Sequence, residues 1–192
     1  MGGILLQGDN ISIKGNTINF FNMSTNSPIN DNPLTFGIGI YVHPTQFWHR
    51  DYNISYNKIT NFTYSPGGAG GEYGILASIK TNSNVAFYMN DISNCLVGME
   101  IEIDDWPSSK YYNIGDEPAI IIKQNNFRKN ILNTYRTFRG INRKMMWQNN
   151  YWGRFRLFPK VIVVFRMITE EIGIPSRLEF DMHPAQEPYD IW

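Results

Sequence analysis

The chain has 192 residues, 42% of them hydrophobic and 18% charged, and its 17 basic and 17 acidic side chains give a formal net charge of zero. That length predicts one domain with one sizeable core, and the balanced charge leaves no global field to draw in nucleic acid or hold an anionic membrane. Cys95 is the only cysteine, which excludes an intramolecular disulfide and a multi-cysteine zinc site, and no apolar run approaches the roughly 18 residues of a membrane span, Val161 to Phe165 being far too short.

The opening residues, Met1 to Gln7, lack the basic n-region and apolar h-region of a signal peptide. They lead straight into a short apolar strand, Gly3-Ile-Leu-Leu6, with nothing before it to cover its edge. An uncovered edge leaves a row of unpaired backbone groups. The expectation is therefore that further repeats and an export signal precede Met1, and that the protein is extracellular or at the cell surface.

Next comes Asn10-Ile-Ser-Ile-Lys-Gly-Asn-Thr-Ile18, with apolar residues five and three before Asn16 and two after it. The pattern returns as Tyr52, Ile54, Asn57, Ile59, then as Val85, Phe87, Asn90, Ile92. Two looser copies follow: Ile120, Ile122, Asn125, Phe127 and Met145, Trp147, Asn150, Trp152. Such alternation is strand behaviour, one face in and one out. Between the copies lie glycine-led strands, Gly37-Ile-Gly-Ile40, Gly74-Ile-Leu76 and Gly98-Met-Glu-Ile101.

The units recur at intervals of 25 to 41 residues, the range of repeat arrays. Two or three strands per unit with long, irregular connections favour a parallel β-helix over a four-stranded propeller blade. The predicted fold is all-β: a single-stranded parallel β-helix of about four to five coils over residues 1–153, closed by a capping tail over 154–192. Asn16, Asn57, Asn90, Asn125 and Asn150 read as scaffold. A short amide side chain tolerates left-handed backbone and can bond the amides stacked above and below it.

The excursions from this wall carry the candidate chemistry. His43-Pro-Thr-Gln-Phe-Trp-His-Arg-Asp51 interrupts two strands, and Trp48, His49 and Arg50 make it a candidate ligand-binding loop. His43 and His49 are a conceivable metal pair, but no third ligand or standard spacing accompanies them. Ser65 to Glu72 is glycine-rich without the Lys-Ser or Lys-Thr of a phosphate loop. Asn10, Asn22, Asn53 and Asn61 each open an Asn-x-Ser/Thr sequon, which suits a surface protein. Cys95 aligns with Phe21 and Phe62 and reads as a small packed hydrophobe.

The strongest catalytic candidate is Gly98-Met-Glu-Ile-Glu-Ile-Asp-Asp-Trp-Pro107. Met99, Ile101 and Ile103 point one way and Glu100 and Glu102 the other, with Asp104, Asp105 and Trp106 at the strand end. Carboxylates beside an aromatic platform suit glycoside chemistry: one acid protonates the leaving oxygen, a second serves as base or nucleophile, and the ring stacks on sugar. Catalysis by Glu102, Asp104 and Asp105, sugar or calcium binding, and a plain acidic strand edge all stay open. No other cofactor is expected.

Ala119-Ile-Ile-Ile122 is apolar on consecutive positions, as in a strand covered on both sides. Arg128, Lys129, Arg136, Arg139, Arg143 and Lys144, interleaved with Phe127, Tyr135 and Phe138, read as scattered charge on a solvated face. From Arg154 the repeat is lost. Trp147, Tyr151, Trp152, Phe155, Phe158 and Phe165 supply apolar area to close the last coil, and Thr169-Glu-Glu171 reads as the start of a short helical turn. His183 with Asp181 is a further metal option, set against a docking tail held by hydrogen bonds.

The repeated apolar-x-apolar-x-x-Asn-x-apolar motif, over residues 3 to 152, resembles the right-handed parallel β-helix repeat proteins, in particular the NosD-like group of archaeal and bacterial surface proteins. Asn149-Asn-Tyr-Trp-Gly153 is similar to the Asn-x-Tyr-Trp-Gly that ends the last coil in that group. The resemblance implies right-handedness and a secreted or surface solenoid. It carries no set activity. The gly-his-gly and arg-x-lys signatures of β-helix pectinases are missing. Three functions follow as expectations: a non-catalytic solenoid binding polysaccharide or another envelope component, a carbohydrate-active hydrolase or lyase, and a copper-linked accessory role, for which Met145 and Met146 with three separated histidines are thin support.

Overall fold

The computed structural model describes residues 3–7, 10–20, 37–43, 51–63, 72–79, 83–104, 120–139, 145–168 and 173–191. Among these the regular structure is entirely β. The first repeat contributes β1 (Ile4–Leu6), β2 (Ile11–Lys14) and β3 (Thr17–Asn19). The second gives β4 (Ile38–Val42), β5 (Asp51–Ser55) and β6 (Lys58–Thr60); the third, β7 (Tyr73–Ile79), β8 (Asn84–Tyr88) and β9 (Asp91–Ser93). The fourth supplies β10 (Val97–Asp104), β11 (Ile120–Lys123) and β12 (Asn126–Arg128), and β13 (Leu132–Arg139) and β14 (Met145–Gln148) begin a fifth. A hairpin follows, β15 (Lys160–Met167) and β16 (Gly173–Asp181).

Each repeat places one strand in each of three sheets. The orders are β1-β4-β7-β10-β13-β15-β16, β14-β11-β8-β5-β2 and β12-β9-β6-β3. Every pairing is parallel except that of β15 with β16. The register follows the sequence repeat: Ile11 lies beside Tyr52, Tyr52 beside Val85, Val85 beside Ile120 and Ile120 beside Met145. One residue type per repeat thus stacks into one row, and the inward rows form the core. Ile40, Ile54, Ile59, Phe62, Ile75, Phe87, Ile92, Ile101, Ile122 and Phe127 have no exposed surface. Burying each such side chain contributes about 1.5–3 kcal/mol.

The repeated asparagines form a continuous ladder. The backbone N–H and side-chain Nδ2 of Asn16 both donate to Oδ1 of Asn57 at 3.1 and 3.0 Å, and the pattern repeats from Asn57 to Asn90, Asn90 to Asn125 and Asn125 to Asn150. Each Nδ2 from Asn57 onward also reaches back to a carbonyl of the preceding repeat: Ile13, Ile54, Phe87 and Ile122. The left-handed backbone lies one residue before the Asn, at Gly15, Tyr56, Met89, Gln124 and Asn149. The ladder residue itself therefore keeps ordinary backbone angles. A second left-handed bend follows the third strand, at Asn61, Asn94, Lys129 and Gly153.

The glycines have their own stack, and it runs through Gly39 rather than the Gly37 of the sequence alignment. A Cβ on Gly39 would come within 2.5 Å of the Gly74 carbonyl, one on Gly74 within 2.6 Å of the Gly98 carbonyl, and one on Gly98 within 2.6 Å of the Asn133 carbonyl. The bare Cα is what lets each repeat settle on the next.

The ladder ends on an acid. Asp181, fully buried at the end of β16, accepts from the backbone N–H of Asn149 and Asn150, from Asn150 Nδ2 and from Trp152 Nε1 at 2.8 to 3.1 Å. Arg136 occupies the inward row beyond Ile101 and is fully buried. There it pairs with Glu179, which also accepts from Trp147 Nε1 at 2.8 Å and from Arg177 at 2.6 Å. Trp147 and Trp152 are buried as the sequence predicts, but Phe155 and Phe158 are 62% and 78% exposed, because the β15–β16 hairpin covers the last repeat in their place. The tail beyond Asp181 docks through Ala185 N–H to Asn150 O and paired bonds between Tyr189 and Asn126. Residues 169–172, where a helical turn is predicted, lie outside the described residues.

Candidate functional site

β10 alternates as its sequence demands: Met99, Ile101 and Ile103 have no exposed surface, while Glu100 and Glu102 stand on the outer face of the seven-stranded sheet. Two residues along a strand is a rise of about 6.6–6.8 Å, which sets the spacing of the two acids' backbones. Across the sheet, the register puts Glu100 in a row with Leu76 and Tyr41 on one side and Tyr135 on the other. Glu102 lies between Ser78 and Thr137. Neighbouring strands sit about 4.8 Å apart, so these side chains share one small patch contributed by four repeats.

The phenol of Tyr73 donates a hydrogen bond to Glu100. Burial drives the Glu100 carboxyl up to about 7, the Glu102 charge adds to the rise, and the Tyr73 hydrogen bond opposes it. The phenols respond in kind. Tyr73 is raised by burial and by Glu100, Tyr135 by burial and by Glu100, and Tyr41 by burial and by Glu102. Near neutral pH, Glu100 is thus poised to hold or release a proton beside a second carboxyl, with three aromatic hydroxyls around the pair.

The other sequence candidates are dispersed. Trp48, His49, Arg50, Asp105 and Trp106 lie outside the described residues. Asp104 closes β10 in register with Arg139, and its side chain also lies outside them. His43 follows β4, its ring 5.4 Å from Tyr41 and edge-on to it, with Nδ1 buried and unbonded. His183 is exposed on the tail, and its sequence neighbour Asp181 is engaged by the ladder. Among the described residues, no three His, Cys, Asp or Glu side chains gather as metal ligands. Cys95 is buried in the core, and burial pushes its thiol up to about 11, as expected of an inert packed cysteine. Of the stretch read as a solvated basic face, Lys129 is exposed, whereas Arg136 is buried and Arg128 pairs with the buried Asp91.

Tyr41, Tyr73 and Tyr135 carry no motif and lie in three different repeats, so sequence reading passes over them. A signal exists nonetheless. Counting two residues on from Gly39, Gly74 and Gly98 gives Tyr41, Leu76 and Glu100, which is the observed row.

No helix among the described residues is long and apolar enough to cross a membrane. Comparison with protein-family models, curated proteins and solved structures yields no match.

Proposed function

We propose that the repeats are coils of a single-stranded right-handed parallel β-helix, NosD-like in kind and at the cell surface or secreted, which binds carbohydrate of the cell envelope without turning it over. The in-register parallel pairing of each repeat with the next supports the coil reading, and handedness rests on the family resemblance. The observation that carries the function is the patch of Glu100 and Glu102 among Tyr41, Tyr73 and Tyr135. Carboxylates accept from sugar hydroxyls, and phenol rings offer an apolar face with a polar rim. A glycan array probed with the whole chain tests it. Tyr135→Ala is expected to weaken the best glycan by about tenfold, the equivalent of one lost ring contact of about 1.4 kcal/mol; unchanged affinity, or an array with no bound glycan, removes the reading.

A second reading, a hydrolase or lyase, is favoured by one observation: Glu100 and Glu102 share the outer face of β10, where burial first and then the neighbouring charge raise the Glu100 carboxyl to about 7. Glu100 is then the general acid and Glu102 the base. Reducing-end release from the bound glycan, abolished in Glu100→Gln, supports this reading, and binding without release returns the patch to recognition. The copper-linked role has less behind it, because Met145 is buried in the core while Met146 faces out.

A further inference from the structure

The outer face of the five-stranded sheet holds a trough of about 490 Å³ running across β2, β5 and β8 to β11. One wall is made by Asp51 and Asn84, joined by a hydrogen bond of 2.9 Å from Asn84 Nδ2 to Asp51 Oδ1. The other is the register row Ser12, Asn53, Ala86 and Ile121, one residue from each of four successive repeats. Between the walls the residues point inward: Tyr52 and Val85 are 3% and 2% exposed, so their backbone forms the floor. Both walls are built of short side chains. That is why a trough exists at all on a sheet face whose other rows carry lysine and tyrosine.

We infer that this trough binds a neutral, extended polysaccharide lying along the stack of repeats, one sugar to each repeat. The proposal rests on the carbohydrate reading and adds a second site and a substrate class to it. Repeats advance about 4.8 Å from strand to strand, close to the length of one pyranose in an extended chain, so successive sugars meet equivalent positions. An extended peptide advances about 3.3–3.4 Å per residue and falls out of step with the wall, and it binds sheets at edges rather than faces. The chemistry of the walls selects further. Among the described residues, Asp51 is the only ionisable group with a side chain on them, and its carboxylate accepts from Asn84, which leaves a mostly apolar lining with few polar groups to face the ligand. Such a surface matches the C–H faces of uncharged sugars, whose hydroxyls stay in solvent along the open side, whereas a uronate polymer would bring its charge against Asp51.

The test uses the whole chain and neutral oligosaccharides of one to eight sugars, from cello-, xylo-, manno- and laminari- series, measured by calorimetry. Affinity in one series is expected to climb with each sugar up to four, the number of repeats in the wall, and then to level off. Ala86→Arg and Asn53→Arg, both on the outer face, fill the trough and are expected to lower the affinity for the tetrasaccharide by about tenfold or more, with an unchanged urea midpoint showing that the fold is intact. Tyr135→Ala is expected to leave this binding unaltered. If the oligosaccharides bind but lose affinity in Tyr135→Ala and not in the arginine variants, the trough assignment is wrong and the carbohydrate reading survives. If no neutral series binds, the assignment is also wrong, and the glycan array then decides whether the carbohydrate reading falls with it.

Discussion

Replacing Asn125 by alanine tests whether the ladder is a working part of the stability or an accompaniment to strand stacking. Oδ1 of Asn125 accepts the N–H and Nδ2 of Asn90, and its Nδ2 donates to Asn150 Oδ1, Phe87 O and Lys123 O. Truncation leaves the Asn90 N–H buried without a partner, whereas the Phe87 carbonyl keeps its strand bond in the β8–β11 pairing. One such group gives an expected loss of about 1–3 kcal/mol, an appreciable share of the roughly 5–15 kcal/mol that holds a domain folded. Asn16→Ala, by contrast, removes only the bonds of Nδ2 to Asn57 and to the exposed Lys14 carbonyl, for an expected loss below about 1 kcal/mol. The informative control is Asn125→Asp. It keeps the shape but replaces a donor with an acceptor that faces Phe87 O and Asn150 Oδ1, so it should cost at least as much as alanine. Urea unfolding followed by circular dichroism measures all three. An aspartate variant as stable as the natural chain, or a loss below about 1 kcal/mol at Asn125→Ala, would show that packing alone holds the stack.

Further outcomes follow from the same geometry. Lys129 is exposed and left-handed at φ 54°, so Lys129→Gly is expected to raise stability by about 0.5–1 kcal/mol, relief of strain outweighing the added freedom of the unfolded chain; a lowered midpoint contradicts this. Gly74→Ala puts a methyl group 2.6 Å from the Gly98 carbonyl and from Ile92 Cγ2, with an expected cost of about 1–3 kcal/mol in the same assay. Because folding raises Glu100 from 4.5 to about 7, its folded form holds a proton that the unfolded form has released between those values. The contribution is complete below pH 4.5 and is lost as pH rises through about 7. The urea midpoint of the natural chain is therefore expected to fall from pH 5 to pH 8 by more than that of Glu100→Gln, and equal slopes would contradict the assignment.

The parallel pairing and the five ladder asparagines were legible because one stacked position demands one residue type, and the demand recurs in every repeat. The residue that turns the chain before each Asn is glycine, tyrosine, methionine, glutamine or asparagine, so its backbone angle leaves no mark in the sequence. Asp181 was hidden for a different reason. It closes the ladder from a hairpin that does not repeat, and beside His183 it looked like half a metal site. Arg136 was misjudged because its position in the inward row shows only once β13 is registered against β10, and its counter-charge, Glu179, lies in that same hairpin. The tyrosines around Glu100 are likewise a product of register, each drawn from a separate repeat.

The ladder behaves as a polymer with a direction and an end group. Every interior unit gives two protons forward and receives two from behind, so any unit finds the same bonds wherever it stands in the series. A duplicated or deleted unit leaves its neighbours' bonding unchanged, and the number of units is thus free to vary without redesign. Only a group that takes protons and passes none on can stop the series, and the carboxylate of Asp181, accepting four and donating none, is such a terminator.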